Sequence, residues 1–293
     1  MAVNPVNGAW DFSFAVGGLT IALASDDRPL LEALARRYEP WLVEGPSLCR
    51  VQVRCGQGQR MPNRPSPAAS FDQGRACHLR APGYHGVIAA DGCSGTLELA
   101  VADEADADYF LRAVLAVLAF EAGGLLVHAA GFLRRGRAVL LTGRSGIGKS
   151  TSVRVSAGLP DTVALGDDLI LLMPTADGWW AHGTPFWNPE APAALRIGQT
   201  ASGPLAGLFR LAQDRRDWVQ PLSAGQLVAG LMSDLPIVPL DTVRASQAFA
   251  LLARLARTVA TGQLHFRPTP DFWSVLDEFI LSSVPVQPHQ APQ

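Results

Sequence analysis

The chain has 293 residues, 48% of them hydrophobic, and a formal net charge of −2. That length fits one large or two modest domains with a proper core, and the scattered basic residues leave no electrostatic footprint for nucleic acid. The most apolar run, residues 110–127, is interrupted by Arg112, Glu121 and the Gly123-Gly124 pair and is shorter than the ~20 residues of a membrane span, so no membrane partner is expected either.

The amino terminus, "MAVNPVNGAWDFSF", lacks a basic stretch followed by an apolar one and does not read as a secretory signal. "FSFAVGGLTIALAS" predicts a hairpin turning at Gly17-Gly18, "RPLLEALARRYEPWL" a helix, and "CRVQVRC" a half-buried strand. The Pro-, Gly- and Ser-rich residues 56–74 predict a loop, and residues 86–101 a second hairpin. Cys49, Cys55, Cys77 and Cys93 contain no C-x-x-C pair and read as small buried thiols rather than a zinc site. With no export signal, a reducing cytoplasm is expected. Asp103 predicts a helix cap, and Glu104, Asp106 and Asp108 suit the first turn electrostatically. Residues 1–100 are thus expected to form a small α/β domain without recognisable chemistry.

The second half carries the chemistry. "GLLVHAAGFL", "RRGR" and "AVLLTG" predict strand, turn and strand. With Arg135 and Gly136 at the centre of the turn, antiparallel pairing sets His128 opposite Gly143. Gly143 opens "GRSGIGKST", a glycine loop of the form G-x-x-x-x-G-K-S between a predicted strand and a predicted helix. Its backbone N–H groups (Gly143, Arg144, Ser145, Gly146, Ile147, Gly148) can turn inward on a phosphate, and the helix dipole adds to anion binding. Lys149 then reaches the β/γ oxygens of a bound nucleotide and the Ser150 hydroxyl ligates Mg²⁺, with Thr151 next in the helix. Lys149 is the only lysine in the chain, every other basic side chain being Arg or His; a compact ammonium is kept where a planar guanidinium would not serve.

The helix is expected to run from Lys149 to about Ala157, stopped by Gly158 and Pro160. "TVALGDDLILL" follows as a strand carrying Asp167 and Asp168, whose side chains alternate to opposite faces unless Gly166 distorts the strand. One carboxylate can hold Mg²⁺ and the other accept a proton from an attacking hydroxyl. "HGTPFW" reads as a shaped loop contacting nucleotide or acceptor; Trp179, Trp180 and Trp187 read more simply as buried aromatics than as base-stacking platforms. Arg144, or Arg215 and Arg216 from a mobile segment, can steady the γ-phosphate. "AFALLARLARTVA", residues 248–260, is an amphipathic helix for core or subunit packing, so a homo-oligomer is compatible. Residues 285–293 read as a disordered tail.

Carboxylates so soon after the loop, and ahead of the apolar run, resemble the HPr kinase/phosphorylase family and, more distantly, ATP-dependent phosphoenolpyruvate carboxykinase. The likeness covers roughly residues 120–190: "VHAAG" stands at the family's strand-borne His-Gly, "GRSGIGKST" at its phosphate loop and "LGDD" at its paired aspartates. "HGTPFWNPEAP" and "HFRPTPDFWSVLDEFI" look like shorter HPr-kinase-like proteins, some of which accompany modified-peptide biosynthesis. The resemblance implies an α/β fold whose residues 101–284 form a P-loop kinase core, a mixed sheet with helices. It implies Mg-ATP on Lys149 and Ser150, metal binding and the base from Asp167 and Asp168, and support of the reacting centre by His128. Thr151 stands where bacterial HPr kinases usually have an acidic residue, and no counterpart of their "EVRGLGI"-like segment is present; HPr itself and the reverse reaction are therefore not implied. The expected activity is transfer of the ATP γ-phosphate to a hydroxyl, first to serine of a peptide or small protein such as a modified-peptide precursor. A small-metabolite kinase acting on free serine or a polyol, or a nucleotide-gated peptide-binding module, are the alternatives.

Overall fold

Glycine turns and period-2 apolar patterning organise most of the first third of the chain. The computed structural model describes residues 4–6, 9–59, 65–187 and 200–283; the expected tail at 285–293 lies outside them. β1 (Asn4–Val6), β2 (Ala9–Val16), β3 (Leu19–Ser25), β4 (Leu42–Val43), β5 (Cys49–Cys55), β6 (Ala68–Phe71), β7 (Cys77–Ala81), β8 (Tyr84–Ile88) and β9 (Ser94–Leu99) form one mixed sheet. Its order is β1-β2-β3-β5-β9-β8-β7-β6, with β4 on β2 and the β3–β5–β9 pairings parallel. The first hairpin turns where expected, Val16 facing Leu19 across Gly17-Gly18.

Two helices cover this sheet. α1 (Arg28–Arg37) is capped by Asp27, whose carboxylate accepts from Leu30 N. α2 (Glu104–Glu121) is capped by Asp103, which accepts from Ala105 N and Asp106 N. From Ala107 to Ala119, the buried apolar side chains of α2 join the core of the first sheet, including Phe14, Leu31 and Tyr38. The helix therefore packs with the residues that precede it, although it leads into the second sheet. Cys49 and Cys77 are buried in this core and Cys93 is exposed, unlike the expectation for it; all four thiols are free. Burial pushes the Cys49 thiol up to about 12 and those of Cys55 and Cys77 to about 11, so they stay protonated and inert.

The second sheet comprises β10 (Leu125–Arg134), β11 (Arg137–Thr142), β12 (Thr162–Gly166), β13 (Leu169–Thr175), β14 (Gly178–His182), β15 (Ser202–Gln213), β16 (Trp218–Pro221) and β17 (Ala260–Phe266). Its order is β11-β10-β13-β14-β15-β17-β16, with β12 on β10. A further parallel pairing of β11 with β15 closes the first five strands into a ring. Around it lie α3 (Lys149–Ser156), α4 (Ala224–Leu231), α5 (Thr242–Leu255) and α6 (Phe272–Ser283). Alternation along β11 divides the packing: Ala138 and Leu140 join α4 and α5, while Val139 and Leu141 join α3 and α6. The architecture is mixed α/β, with two large mixed sheets and helices. Among the described residues no helix is long and apolar enough to cross a membrane.

Three expectations change. β6 (Ala68–Phe71) lies inside the stretch 56–74 expected to be a loop, and it pairs with β7. The stretch "TVALGDDLILL" is not one strand: β12 ends at Gly166, the chain bends at Asp167 and Asp168, and β13 begins at Leu169. The helix read at 248–260 runs from Thr242 to Leu255, and Ala260 already starts β17. Asp241 sets its start by accepting from Val243 N and Arg244 N, a cap that the apolar periodicity of 248–260 does not reveal.

Arg244 on α5 is fully buried and ties the two sheets together. Its guanidinium meets Glu121 Oε1 at 2.8 Å, Asp241 Oδ2 at 3.0 Å and the Arg75 carbonyl at 3.1 Å, and also donates to the Ala90 carbonyl. Truncating one member of a buried charged network strands the others without water. The Arg244→Ala protein is therefore expected to lose about 3–5 kcal/mol of unfolding free energy, read as a lower midpoint in urea denaturation; an unchanged midpoint would refute the clamp.

Candidate functional site

The glycine loop lies between the end of β11 at Thr142 and the start of α3 at Lys149. β10 and β11 pair with Ala129 opposite Thr142 and Arg134 opposite Arg137, around a two-residue turn in which Arg135 (φ 50°) and Gly136 (φ 76°) are both left-handed. This register sets His128 next to the loop, as the sequence reading expected. Alternation along β10 also selects its face: Leu126 enters the first core and Ala130 the α3/α6 core, so His128 between them faces the space beside α3.

Gly143, Gly146 and Gly148 all have positive φ (138°, 77° and 123°). At Gly148 a side chain is excluded twice, by its φ and because a Cβ would lie 2.6 Å from the Phe266 ring. Lys149 is buried, and its Nζ donates to the Gly143 carbonyl at 2.6 Å and the Arg144 carbonyl at 3.4 Å. Burial lowers its pKa, opposed by the charges of Asp234, Asp168 and Asp167. Ser150 Oγ donates to Asp167 Oδ2 at 3.3 Å. A cavity of about 160 Å³ is lined by His128, Ser145, Gly146, Gly148, Lys149, Ser150, Thr151, Asp167 and Asp168.

Both aspartates thus reach one cavity, which strict alternation would forbid. The cause is irregular backbone. Gly131 faces Gly166 but Phe132 faces Ala164, so Leu165 is skipped in the ladder, and the chain bends at the two aspartates. The bulge also shifts the packing parity, since Leu165 shares a core with Ile170 and Leu172 while Leu169 and Leu171 enter the other.

The carboxylates have different neighbours. Asp167 is buried beside Ser150. Asp168 accepts from Arg112 Nη1 through Oδ2, and its Oδ1 lies 3.3 Å from His128 Nε2. Arg112 also donates Nε to Asp108 Oδ2 at 2.8 Å and Nη2 to the Trp187 carbonyl at 2.8 Å. Asp108 in turn accepts from Tyr38 Oη at 2.6 Å and Arg37 Nη2 at 3.2 Å; it serves this network, not the acidic first turn. A second cavity of about 230 Å³ adjoins the first across His128 and Asp168, lined also by Tyr109, Arg112, Ala113, Leu169 and residues 233–237.

A family described as SynChlorMet cassette protein ScmC matches residues 109–282, more than half of the chain. The chain belongs to the ScmC family. Among curated proteins none matches it. The ScmC match starts inside α2, three residues before Arg112, and takes in the whole glycine loop, both aspartates, His128 and Asp234; Tyr38, Arg37 and Asp108, which support Arg112, precede it.

Several residues singled out in the sequence lie elsewhere. The Ile147 side chain packs with the α3/α6 core, and Gly143 and Arg144 contribute carbonyls to Lys149 without lining either cavity. Arg215 and Arg216 are exposed in the turn after β15. Trp179 is buried, Trp180 is partly exposed, and Arg37 stacks on Trp187 at 4.3 Å. In "HGTPFWNPEAP", Thr184 Oγ1 donates to the Leu169 carbonyl at 2.7 Å and Trp187 holds Arg112, so this segment supports the site from behind; residues 188–192 lie outside the described residues. Conversely, sequence reading missed Arg112 and Asp234, which no local motif marks.

Burial lowers the His128 pKa below its usual 6.5; Lys149 and Arg112 add to this and Asp168 opposes it. The imidazole is neutral at pH 7 and presents one donor and one acceptor. An unfolded chain binds this proton near 6.5 and the folded chain only at lower pH, so acidification through that window favours unfolding. His182, also lowered by burial, adds to the same loss. The His128→Gln protein should lose less stability than the parent between about pH 7.5 and pH 5.5 in urea titrations; an equal loss would remove His128 as a source.

Proposed function

We propose that this ScmC-family protein is an ATP- and Mg²⁺-dependent kinase that transfers the γ-phosphate to a hydroxyl, with serine of a peptide or small protein as the acceptor. On this reading residues 101–284 contain a P-loop kinase core related to the HPr kinase/phosphoenolpyruvate carboxykinase type. The observation that carries it is the pairing of Ser150 and Asp167, 3.3 Å apart at the start of the helix that follows the glycine loop, with Asp168 and His128 on the same cavity. The family's printed description, a cassette protein, fits an acceptor encoded in the same cassette.

The residues suit the groups they would hold. Ser150 Oγ and Asp167 Oδ2 are adjacent hard oxygens of the kind Mg²⁺ takes; bound there, the ion would neutralise charge on the phosphate oxygens. The left-handed glycines and the Lys149 ammonium, with the N-terminus of α3, favour an anion in the cavity. In the reaction the acceptor oxygen bonds to the γ-phosphorus as the bond to the β–γ bridging oxygen breaks, ADP departs, and the hydroxyl proton passes to Asp168. Arg112 fixes that carboxylate, and neutral His128 stands 3.3 Å from its other oxygen. Positioning and charge stabilisation carry most of the catalysis in such a transfer.

One observation favours the nucleotide-gated binding module instead: Asp168 Oδ2 is already taken by Arg112, and Oδ1 lies 3.3 Å from His128 Nε2. Labelled γ-phosphate separates the two readings, since a kinase yields phosphorylated acceptor and a gate yields none. With products of neighbouring genes as acceptors, Asp168→Asn should lower transfer about 10²–10⁴-fold with nucleotide affinity kept. Asp167→Asn should lower transfer and weaken the Mg²⁺ dependence, and Lys149→Ala should abolish ATP binding. Transfer intact in both aspartate variants would sink these roles.

A further inference from the structure

The second cavity shares His128 and Asp168 with the glycine-loop cavity. Its walls are mostly apolar: Ala113 from α2, Leu169 from β13, and Leu235, Pro236 and Ile237 from the segment after α4. Tyr109, partly exposed, stands at its edge. Two features mark it as more than a packing defect. Ile237 has φ 47° and ψ −38°, and Val238 N bonds back to the Pro236 carbonyl across it, a tight turn of the rare left-handed kind. Such backbone is costly for a β-branched residue and is concentrated at functional sites. Asp234 is 6% exposed and sits at the cavity wall with Thr142 and the charges of Arg210 and Lys149 around its carboxylate.

The charges discriminate between acceptor classes. Arg112, the cation on this wall, already donates to Asp108, Asp168 and the Trp187 carbonyl, so it has no free fork for the carboxylate of a free amino acid. Asp234, on the same wall, already faces the cations Arg210 and Lys149. A polyol would leave several hydroxyls against Ala113, Leu169, Leu235, Pro236 and Ile237 without partners. At about 230 Å³ the cavity is also smaller than sites that enclose whole ligands, ~300–1,000 Å³. A short piece of a larger molecule fits it better.

We infer that this cavity is the acceptor subsite, and that it takes a serine carried in a peptide, with an apolar neighbouring side chain against Leu235 and Ile237. The inference rests on the proposed kinase reading and narrows its acceptor. The serine hydroxyl then lies at the Asp168–His128 wall, where it loses its proton to Asp168 as its oxygen takes the phosphoryl group from ATP and ADP leaves.

The test uses the full chain with Mg²⁺, labelled ATP and blocked tripeptides acetyl-X-Ser-X-amide in which X is Leu or Glu, beside free serine and glycerol. The leucine peptide should be labelled at least about tenfold faster than the others. Ile237→Asn removes the apolar side chain from the wall. It should raise the KM for the leucine peptide about tenfold, with unchanged ATP affinity. Faster labelling of free serine or glycerol, or no effect of Ile237→Asn, overturns the subsite. If nothing is labelled, a fluorescent leucine peptide with alanine in place of serine decides by anisotropy. Saturable binding lost in Ile237→Asn retains the subsite and overturns the kinase reading; no binding overturns the subsite itself.

Discussion

Arg112 is the constraint on which the arrangement depends. A guanidinium that is largely withdrawn from water must have its donors answered, and here the answers come from three directions: Asp108 on its own helix, Asp168 at the bend between β12 and β13, and the Trp187 carbonyl beyond β14. Satisfying all three fixes α2 against the second sheet and orients Asp168 within the cavity. The first sheet takes part at one remove, because Tyr38 and Arg37 hold Asp108. The amino-terminal region is thereby tied to Asp168.

The same arrangement explains why a division at residue 100 is not reflected in the packing. α2 is chemically part of the site and physically part of the first core. The helix is apolar on nearly every side, and its single buried guanidinium lies where the first core meets the second cavity. Its partners are 56 and 75 residues away in sequence, at Asp168 and Trp187. Periodicity identifies the helix but not what its one basic residue meets.

Legibility followed the range of the physics involved. Local rules were enough for the hairpins: Gly17-Gly18 and Arg135-Gly136 turn as read, and the second of these turns brings His128 beside the loop in the expected register. The end of α3 near Ala157 followed from Gly158 and Pro160 in the same way. Local rules failed where a ladder is irregular or a cap outranks periodicity. The skipped Leu165 turns Asp167 and Asp168 toward one space, and the cap at Asp241 moves a helix several residues upstream. Asp234 was not legible because its surroundings are assembled from β10, α2 and the segment after α4.

Lys149 has a further consequence as a chemical handle. Its amine is the only one on any side chain of the protein, is largely shielded from solvent, and hydrogen-bonds to the loop's own carbonyls. Bulk amine-selective reagents will find no surface lysine to modify, whereas an acylating group delivered by a molecule seated in the loop has one side-chain target. A chain whose other cations are arginine and histidine thus carries a single-site covalent reporter at the place where occupancy matters most.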